Sequence, residues 1–168
     1  RGFASTTFGS YLDLRCEEHG LTRRPAAKSS GTATFAGTPG ILVPSGFRIS
    51  TPADEYAGTA GIEFQTIAAC TISSEGKIDA AIQAVEPGSA GNVAAGTINI
   101  LISPIAGIAS VINHSPIIDG ADVESDASLL SRYLAKVQAP GTSGNKADYR
   151  NWAREVPGVG DVQIIPLW

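Results

Sequence analysis

A two-residue apolar period, broken by glycine and proline, runs through residues 30–118 and constrains the fold more than any other feature. In KIDAAIQA at Lys77–Ala84 every second residue is Ile or Ala, and in TINILI at Thr97–Ile102 every second residue is Ile. A period of two belongs to β-strands, because successive side chains point to opposite faces. Turn sequences such as GTPG, VPSG, SSEG and EPGSAGN separate these runs. The pattern predicts antiparallel strands in a β-sandwich or a partly open barrel.

The stretch SYLDLRCEEHGL near the N-terminus is predicted to be helical. Leu12 and Cys16 share one face of this helix, and Ser10 can cap its first turn. Gly20 suits the left-handed position that ends a helix. Pro25 disfavours helical geometry at the residue before it, so the helix cannot continue past this point.

The stretch ESDASLLSRYLAKVQ is predicted to form a second helix, with Ser125 or Asp122 as its N-cap and Pro140-Gly141 as its stop. Its apolar residues repeat at helical spacing and form one stripe, in which Leu130 and Leu134 are predicted core residues. The stripe contains Leu129, Leu130, Tyr133, Leu134 and Val137.

A third helix is predicted directly afterwards. Gly144 and Asn145 mark its start, Asn145 as the N-cap, and Pro157-Gly158 marks its end. Tyr149 and Trp152 are predicted to lie on its buried face, together with Ala153 and Val156. The final residues VGDVQIIPLW predict the first strand of a further α/β unit.

These elements predict an α+β fold in three parts: residues 1–29 as an N-terminal helix and linker, 30–118 as a β-rich domain, and 119–168 as a helical segment that leads into a truncated strand. The formal net charge of -4 leaves no broad basic surface, which disfavours nucleic-acid partners. The uncharged stretch Pro87–Ile118 is broken too often by Gly and Pro to span a membrane as a helix. Arg1 is not followed by a continuous apolar core, so no signal peptide is predicted.

No group of residues predicts catalysis or metal binding. Cys16 and His19 have a C-x-x-H spacing, but the other candidates, Cys70 and His114, are distant single residues, a weak pattern for zinc. GNVAAGT lacks the lysine of a phosphate-binding loop, and no G-x-S-x-G motif is present. The tripeptide Asn113-His114-Ser115 matches a glycosylation acceptor by chance, since no secretory signal accompanies it. The sequence therefore predicts no enzyme, no cofactor and no metal.

The glycines of EPGSAGNVAAG have a structural interpretation instead. Gly88, Gly91 and Gly96 permit a bulged or tight connection between two buried strands, and Asn92 belongs to the same turn. The uncharged stretch around this turn, Pro87–Ile118, is the best candidate for an internal or contact strand pair.

Six segments together resemble the baseplate J family of contractile-tailed phages and prophages. The combination of E-x-G-x-x-G-N-V with the later S-G-N-x-x-D-Y-x-x-W-A is specific, and the order of the segments matches the family along most of the chain. The segments are Leu12–Ala26, Gly31–Gly46, Ala84–Ile98, Ser103–Val111, Asp119–Asp126 and Gly141–Trp168.

The resemblance implies a structural subunit of the baseplate wedge, repeated in a ring around the central hub, without catalysis or cofactor. Its partners would be copies of itself and other wedge or hub proteins, its location the virion tail baseplate, and its assembly site the host cytoplasm. Family members extend beyond this segment on both sides, so Trp168 is expected to be an internal boundary, and the isolated segment can be monomeric.

Two departures from the family pattern concern loops. Asp119-Gly120 stands where the family often has paired glycines, and Pro52–Gly61 is longer than usual. Two other function classes stay open at this point. One is a β-sandwich module that binds glycans or cell surfaces, and the other is a hydrolase, for which the sequence lacks a catalytic constellation.

Overall fold

The computed structural model describes residues 6–53, 59–138, 146–155 and 162–165. The chain divides into two compact units. The barrel unit is Arg24–Glu124, and the helical unit contains the described residues before Arg24 and after Glu124. The sequence-based division placed the N-terminal and C-terminal helices in separate parts, whereas the structure groups them in one unit.

The described strands all lie in the barrel unit and form two antiparallel sheets. They are β1 (Ser30–Gly37), β2 (Leu42–Val43), β3 (Arg48–Ser50), β4 (Glu63–Thr66), β5 (Cys70–Thr71), β6 (Lys77–Ala84), β7 (Ile100–Leu101) and β8 (Ile108–Ile112).

The larger sheet has the strand order β7-β3-β4-β6-β1-β8, and β2 pairs separately with β5. The longest pairing joins β1 to β6, with Phe35 opposite Ile78. The end strands β7 and β8 come next to each other in space, so the sheet nearly closes on itself. The predicted antiparallel β-rich fold is confirmed, and of the two architectures left open, sandwich and partly open barrel, the structure has the barrel.

Apolar side chains fill the barrel interior, and in β6 they are the alternate residues of the two-residue period. Ala80, Ile82 and Ala84 of β6 are buried as predicted, while the rings of Phe35 and Phe47 meet edge to face at 5.9 Å. The other large buried side chains of this core include Val43, Ile49, Phe64, Ile72, Ile98, Val111 and Ile117.

The predicted alternation at Thr97–Ile102 is wrong for part of its length. Ile98 is fully buried, but Ile100 and Ile102 are 43% and 41% exposed, and Leu101 packs against the core instead. Only Ile100 and Leu101 pair with β3. Ile98 precedes the strand and is held by a side chain rather than by the ladder, so its direction is not tied to the strand's alternation.

The helical unit contains α1 (Ser10–Glu17), α2 (Asp126–Gln138) and α3 (Lys146–Arg154). Its core joins α1 to α2, since Leu12 and Cys16 are buried against Leu129 and Tyr133. The predicted core residues Leu130 and Leu134 pack at the edge of this cluster and are partly buried.

The predicted N-cap is confirmed for α2 and wrong for α1. Ser125 accepts a hydrogen bond from the Ser128 N–H at 3.3 Å, which confirms Ser125 rather than Asp122 as the cap of α2. The prediction that Ser10 caps α1 is wrong, because Gly9 occupies the N-cap position and the first turn has no side-chain cap hydrogen bond.

The predicted burial of Tyr149 and Trp152 is wrong. Both lie on α3, but their side chains are 53% and 52% exposed, and their rings pack on each other at 5.4 Å. Their spacing correctly indicated one helix face, but spacing does not supply a neighbouring element to cover that face.

Three predicted residues, Gly144, Asn145 and Gly158, lie outside the described residues, as does the predicted stop at Pro140-Gly141. Residues 162–165 are described and do not form a strand, so the predicted terminal strand is not found there. Whether a segment forms a strand depends on a neighbouring strand to pair with, which its own sequence does not specify.

Candidate functional site

Three segments that are far apart in sequence meet in the barrel unit, and we call this place the junction. They are residues 27–30, 88–92 and 119–122. Ala27 and Ala121 exchange two backbone hydrogen bonds, of 2.8 and 3.2 Å, and Gly88 N–H donates to Ala27 C=O at 3.0 Å. The junction thus connects the chain before β1, the turn after β6 and the chain after β8.

The predicted turn residues Gly88, Gly91 and Asn92 all belong to the junction. Gly91 ends a single 3₁₀ turn, Ser89–Gly91, and its C=O accepts the hydroxyl of buried Ser29 at 2.7 Å. A Cβ on Gly91 would collide with Ser29 Oγ and lie 3.1 Å from the Cβ of Ala84. Close backbone approach, rather than backbone angle, therefore requires glycine at this position.

Asn92 connects the turn to Gly120 through two hydrogen bonds. Its Nδ2 donates to Gly120 C=O at 2.9 Å, and its Oδ1 accepts the Gly120 N–H at 2.8 Å. A Cβ on Gly120 would lie 2.5 Å from Gly88 O and 2.9 Å from Asn92 Oδ1. The side-chain amide of Asn92 thus bonds both backbone groups of Gly120, as the backbone of a neighbouring strand would in a sheet.

Two aspartates bind serines in the same way at the junction. Asp119 accepts both the N–H and the hydroxyl of Ser30, at 2.8 and 2.7 Å, and Asp122 accepts both groups of Ser89, at 2.8 and 2.6 Å. In each case the serine hydroxyl, and then its backbone N–H, lowers the pKa of the carboxylate. Both carboxylates accept hydrogen bonds that connect distant segments of the chain. A general acid would instead need a raised pKa.

Gly96 lies in a second cluster of hydrogen bonds beside β7. Its N–H donates to Asn113 C=O at 2.6 Å. The fully buried side chain of Asn113 accepts the Ile98 N–H at 2.9 Å and donates to Ala94 C=O and Ser115 C=O at 2.9 and 3.0 Å. Asn113 is therefore a structural residue.

Sequence reasoning missed several of these polar residues. Asn113 was read as a chance glycosylation pattern, and Asp119 as a departure from a family motif. The spacing of two aspartates, Asp119 and Asp122, just after the β-rich region was the available signal. No local pattern could show that their partners are Ser30 and Ser89.

Gly20 and Pro25 are not among the residues of the junction. Gly20 has a φ of 65°, and the Leu21 N–H and Gly20 N–H bond to Cys16 C=O and Glu17 C=O at 3.0 and 2.9 Å. This is the Schellman arrangement, which confirms Gly20 at the C′ position. Pro25 is exposed, in the connection that leads to Ala27.

The residues weighed for metal binding do not assemble. His19 packs edge to face on Tyr133 at 5.2 Å, and Cys16 is buried in the helical core. Among the described residues, no group of three or more His, Cys, Asp or Glu side chains could hold a metal ion. Burial raises the pKa of the Cys70 thiol, which disfavours the nucleophilic thiolate.

An open cleft of about 440 Å³ lies beside the junction. Ile62, Val85 and Pro87 line it, with Arg48 and Glu63 at one side. These two charged side chains pair with each other at 2.6 Å. A third charged residue of the lining, Glu86, is exposed. The cleft therefore offers an apolar surface, one ion pair and one exposed carboxylate rather than converging catalytic groups.

The uncharged stretch Pro87–Ile118 contains both end strands of the large sheet, β7 and β8. Ile100, Ile102 and Ile112 on or beside these strands are partly exposed. Exposed apolar side chains in a stretch without charged residues are suited to burial against another chain. The role of Pro87–Ile118 as a contact surface stays a prediction.

No helix in the described part of the chain is both long and apolar enough to cross a membrane.

Comparison with known protein families gives matches to two parts of the chain. The Baseplate J-like protein barrel domain matches residues 32–120, which is more than half of the chain. The Baseplate J-like central domain matches residues 141–168.

Two curated relatives match nearly the whole chain. The phage-like element PBSX protein XkdT of Bacillus subtilis is 34% identical over 167 residues, covering 99% of this chain and 42% of the relative. Baseplate protein gp47 of Escherichia phage Mu is 33% identical over 165 residues, covering 98% and 44%. The chain thus spans less than half the length of these relatives.

The fold is similar to a chain of the cryo-EM structure of the anti-feeding prophage baseplate. The TM-score is 0.67 at 13% sequence identity, and the match covers 94% of this chain and 48% of that chain. The resemblance seen in the sequence is confirmed, and the chain belongs to the Baseplate J-like protein family.

Proposed function

We propose that this chain is part of a structural subunit of a contractile phage or prophage tail baseplate, in the wedge ring around the central hub. The match of the barrel unit to the Baseplate J-like barrel domain, over residues 32–120, carries the proposal. The name of the phage Mu relative, baseplate protein, supports it. Because the chain spans less than half of its relatives, the proposal concerns the whole protein of which such a segment forms part.

The polar residues of the barrel unit support a structural rather than a catalytic role. The acceptor oxygens of Asp119 and Asp122 are engaged by serines, and Asn92 is engaged by Gly120. A catalytic group needs capacity left for a substrate, but these groups connect distant parts of the chain. We therefore propose that the protein is not an enzyme.

The partners in this proposal are further copies of the protein and other wedge or hub proteins. The anti-feeding prophage baseplate is a six-fold symmetrised assembly, which supports a ring of repeated subunits. The proposed location is the tail baseplate of the particle, with assembly in the cytoplasm of the host.

Immunogold electron microscopy tests this function directly. Antibodies raised against the chain are applied to particles from an induced culture of the source organism, and the same antibodies pre-absorbed with the chain serve as the control. Gold at the baseplate end of contractile tails is the expected result. Label confined to soluble protein, with bare tails in the same fields, would overturn the proposal.

A further inference from the structure

Asp119-Gly120 is the single Asp-Gly pair in the sequence, and the sequence contains no Asn-Gly pair. An aspartate followed by glycine is chemically reactive, because glycine has no side chain to hinder attack of its backbone nitrogen on the aspartate side chain. The product of that attack rearranges to isoaspartate. The pair therefore carries a reactivity that its hydrogen bonds at the junction do not use.

Packing requires each residue of this pair for a separate reason. Position 120 needs glycine, since a Cβ there would lie 2.5 Å from Gly88 O. Position 119 supplies the carboxylate that accepts both the N–H and the hydroxyl of Ser30, at 2.8 and 2.7 Å. The contacts that hold the junction together thus place a reactive pair in the chain.

The rearrangement begins when the backbone nitrogen of Gly120 attacks Cγ of Asp119. The new N–Cγ bond closes a cyclic imide, and the N–H proton leaves with the carboxyl hydroxyl as water. A water molecule then opens the ring. Opening at Cγ restores aspartate, whereas opening at the main-chain carbonyl of Asp119 gives isoaspartate, in which the main chain runs through Cβ and Cγ. No oxidant, reductant or further reactant is needed.

The junction engages both reacting groups with other partners. The Gly120 N–H donates to Asn92 Oδ1 at 2.8 Å, so the attacking nitrogen holds its proton in a hydrogen bond. Rotation of the Asp119 side chain toward that nitrogen would break its two bonds with Ser30. The Ser30 hydroxyl, and then the Ser30 N–H, also lower the pKa of Asp119. This disfavours the neutral carboxylic acid, which is the form that can lose its hydroxyl as water.

We propose that Asp119-Gly120 is a latent site of isoaspartate formation, restrained by Asn92 at the nitrogen and by Ser30 at the carboxylate. Local opening of the junction releases both groups, and the reaction proceeds from that open state. Isoaspartate adds a carbon to the main chain and displaces Gly120 from Asn92, so the junction cannot close again in its original form. The inference goes beyond the proposed function and does not depend on it.

Oxygen exchange tests the site. The chain is incubated in heavy-oxygen water at neutral pH and digested in ordinary water, and mass spectrometry then follows the peptide that contains Asp119. Each passage through the imide introduces an oxygen from the solvent, and an isoaspartate-specific methyltransferase assay measures the product. We expect Asn92→Ala and Ser30→Ala each to react about tenfold faster than the unmodified chain, the change in population that corresponds to one lost hydrogen bond.

Three controls separate the junction from general stability. Ser30→Thr keeps the hydroxyl and should react as slowly as the unmodified chain. Ile49→Val weakens the buried core of the same unit from β3, outside the junction, and should accelerate the reaction less than Ser30→Ala does. In concentrated urea all variants and the unmodified chain should react at one fast rate, because the restraints are then absent. Circular dichroism checks that each variant is folded without urea; Ser30 and Asn92 are both exposed, so their alanine variants should fold.

An unmodified chain that reacts as fast when folded as in urea would overturn the proposal. Folded alanine variants with the rate of the unmodified chain would do the same. An Ile49→Val variant as fast as Ser30→Ala would also overturn it, since global unfolding rather than the junction would then control the reaction.

Discussion

Single atoms decide the packing at the junction. The hydroxyl of Ser29 reaches the carbonyl of Gly91 only because position 91 has no Cβ, and a Cβ on Gly120 would likewise lie only 2.5 Å from Gly88 O. The hydrogen bonds of Asn92 and Asp119 then join segments that share no strand ladder. Small residues and short polar side chains therefore stabilise the junction, as apolar packing stabilises the barrel interior.

Gly91→Val should destabilise the barrel unit by about 1–3 kcal/mol, the usual cost of overfilling a packed site. The added side chain would displace Ser29 and press on Ala84. Urea unfolding followed by fluorescence measures the change. Ala90→Val, one residue earlier at an exposed position, is the control and should be nearly neutral. Equal stability of the two variants would mean that the junction is not packed as described.

Asp119→Asn should lower the free energy of unfolding at neutral pH. In acid, the free energies of unfolding of the variant and of the unmodified chain should become more alike. The hydroxyl and N–H of Ser30 lower the pKa of Asp119 from its ordinary 3.8. The carboxylate therefore stabilises the fold above pH 3.8, and this contribution is lost as pH falls through the lower folded-state pKa. Thermal melts across a pH series test the trend. Glu75→Gln, at an exposed turn outside the junction, is the control and should leave stability at neutral pH nearly unchanged.

At the level of elements, each helix depends on how its ends and faces are satisfied. Helix α1 ends in a Schellman turn at Gly20, and α2 begins at a serine cap, Ser125. Both signals are local, so the sequence was sufficient to find the turn at Gly20 and to limit the cap of α2 to Ser125 or Asp122. The covered face of α1 depends instead on α2, and the side of α3 that carries Tyr149 and Trp152 is exposed in the described part of the chain.

Gly20→Ala should destabilise the helical unit by roughly 1–2 kcal/mol, the cost of a left-handed conformation for an L-residue with a Cβ. The cost is conformational, because the nearest atom to the new Cβ, Lys136 Nζ, is 3.6 Å away. Thermal unfolding measures the loss. Gly20→Asn should lose less, since asparagine tolerates this conformation. If alanine and asparagine behaved alike, the φ of 65° would not be the controlling factor.

The whole molecule includes a barrel unit whose two ends are paired with each other. Arg24 C=O accepts the Glu124 N–H at 3.0 Å, and the Arg24 N–H donates to the Glu124 carboxylate at 3.1 Å. A domain with its own core and adjacent ends is expected to fold without the rest of its chain.

A fragment of residues 24–124 should therefore unfold cooperatively and independently. A shorter fragment of residues 30–118, cut where the alternating pattern begins and ends, lacks Ser29, Asp119 and the Ala27–Ala121 pair. We expect its melting temperature to be lower by more than about 5 °C, which corresponds to roughly 1 kcal/mol in a domain of this size. Differential scanning calorimetry compares the two, and equal melting temperatures would show that the junction adds no stability.

Local patterns in the sequence were enough to predict the class of fold, the strand β6 and the left-handed Gly20, and they limited the cap of α2 to Ser125 or Asp122. Each of these depends on residues within a few positions of one another, where period, turn preference and capping act directly. The resemblance to the baseplate J family also rested on contiguous motifs.

Long-range packing decided the remaining features. Ser29 and Gly91 are separated by 62 residues, and Ser30 and Asp119 by 89. Such partners meet only when the strands on either side have paired in one register, so no local pattern specifies them. The same reason explains the exposed Tyr149 and Trp152: helical spacing assigns two residues to one face, but only the presence of another element buries that face.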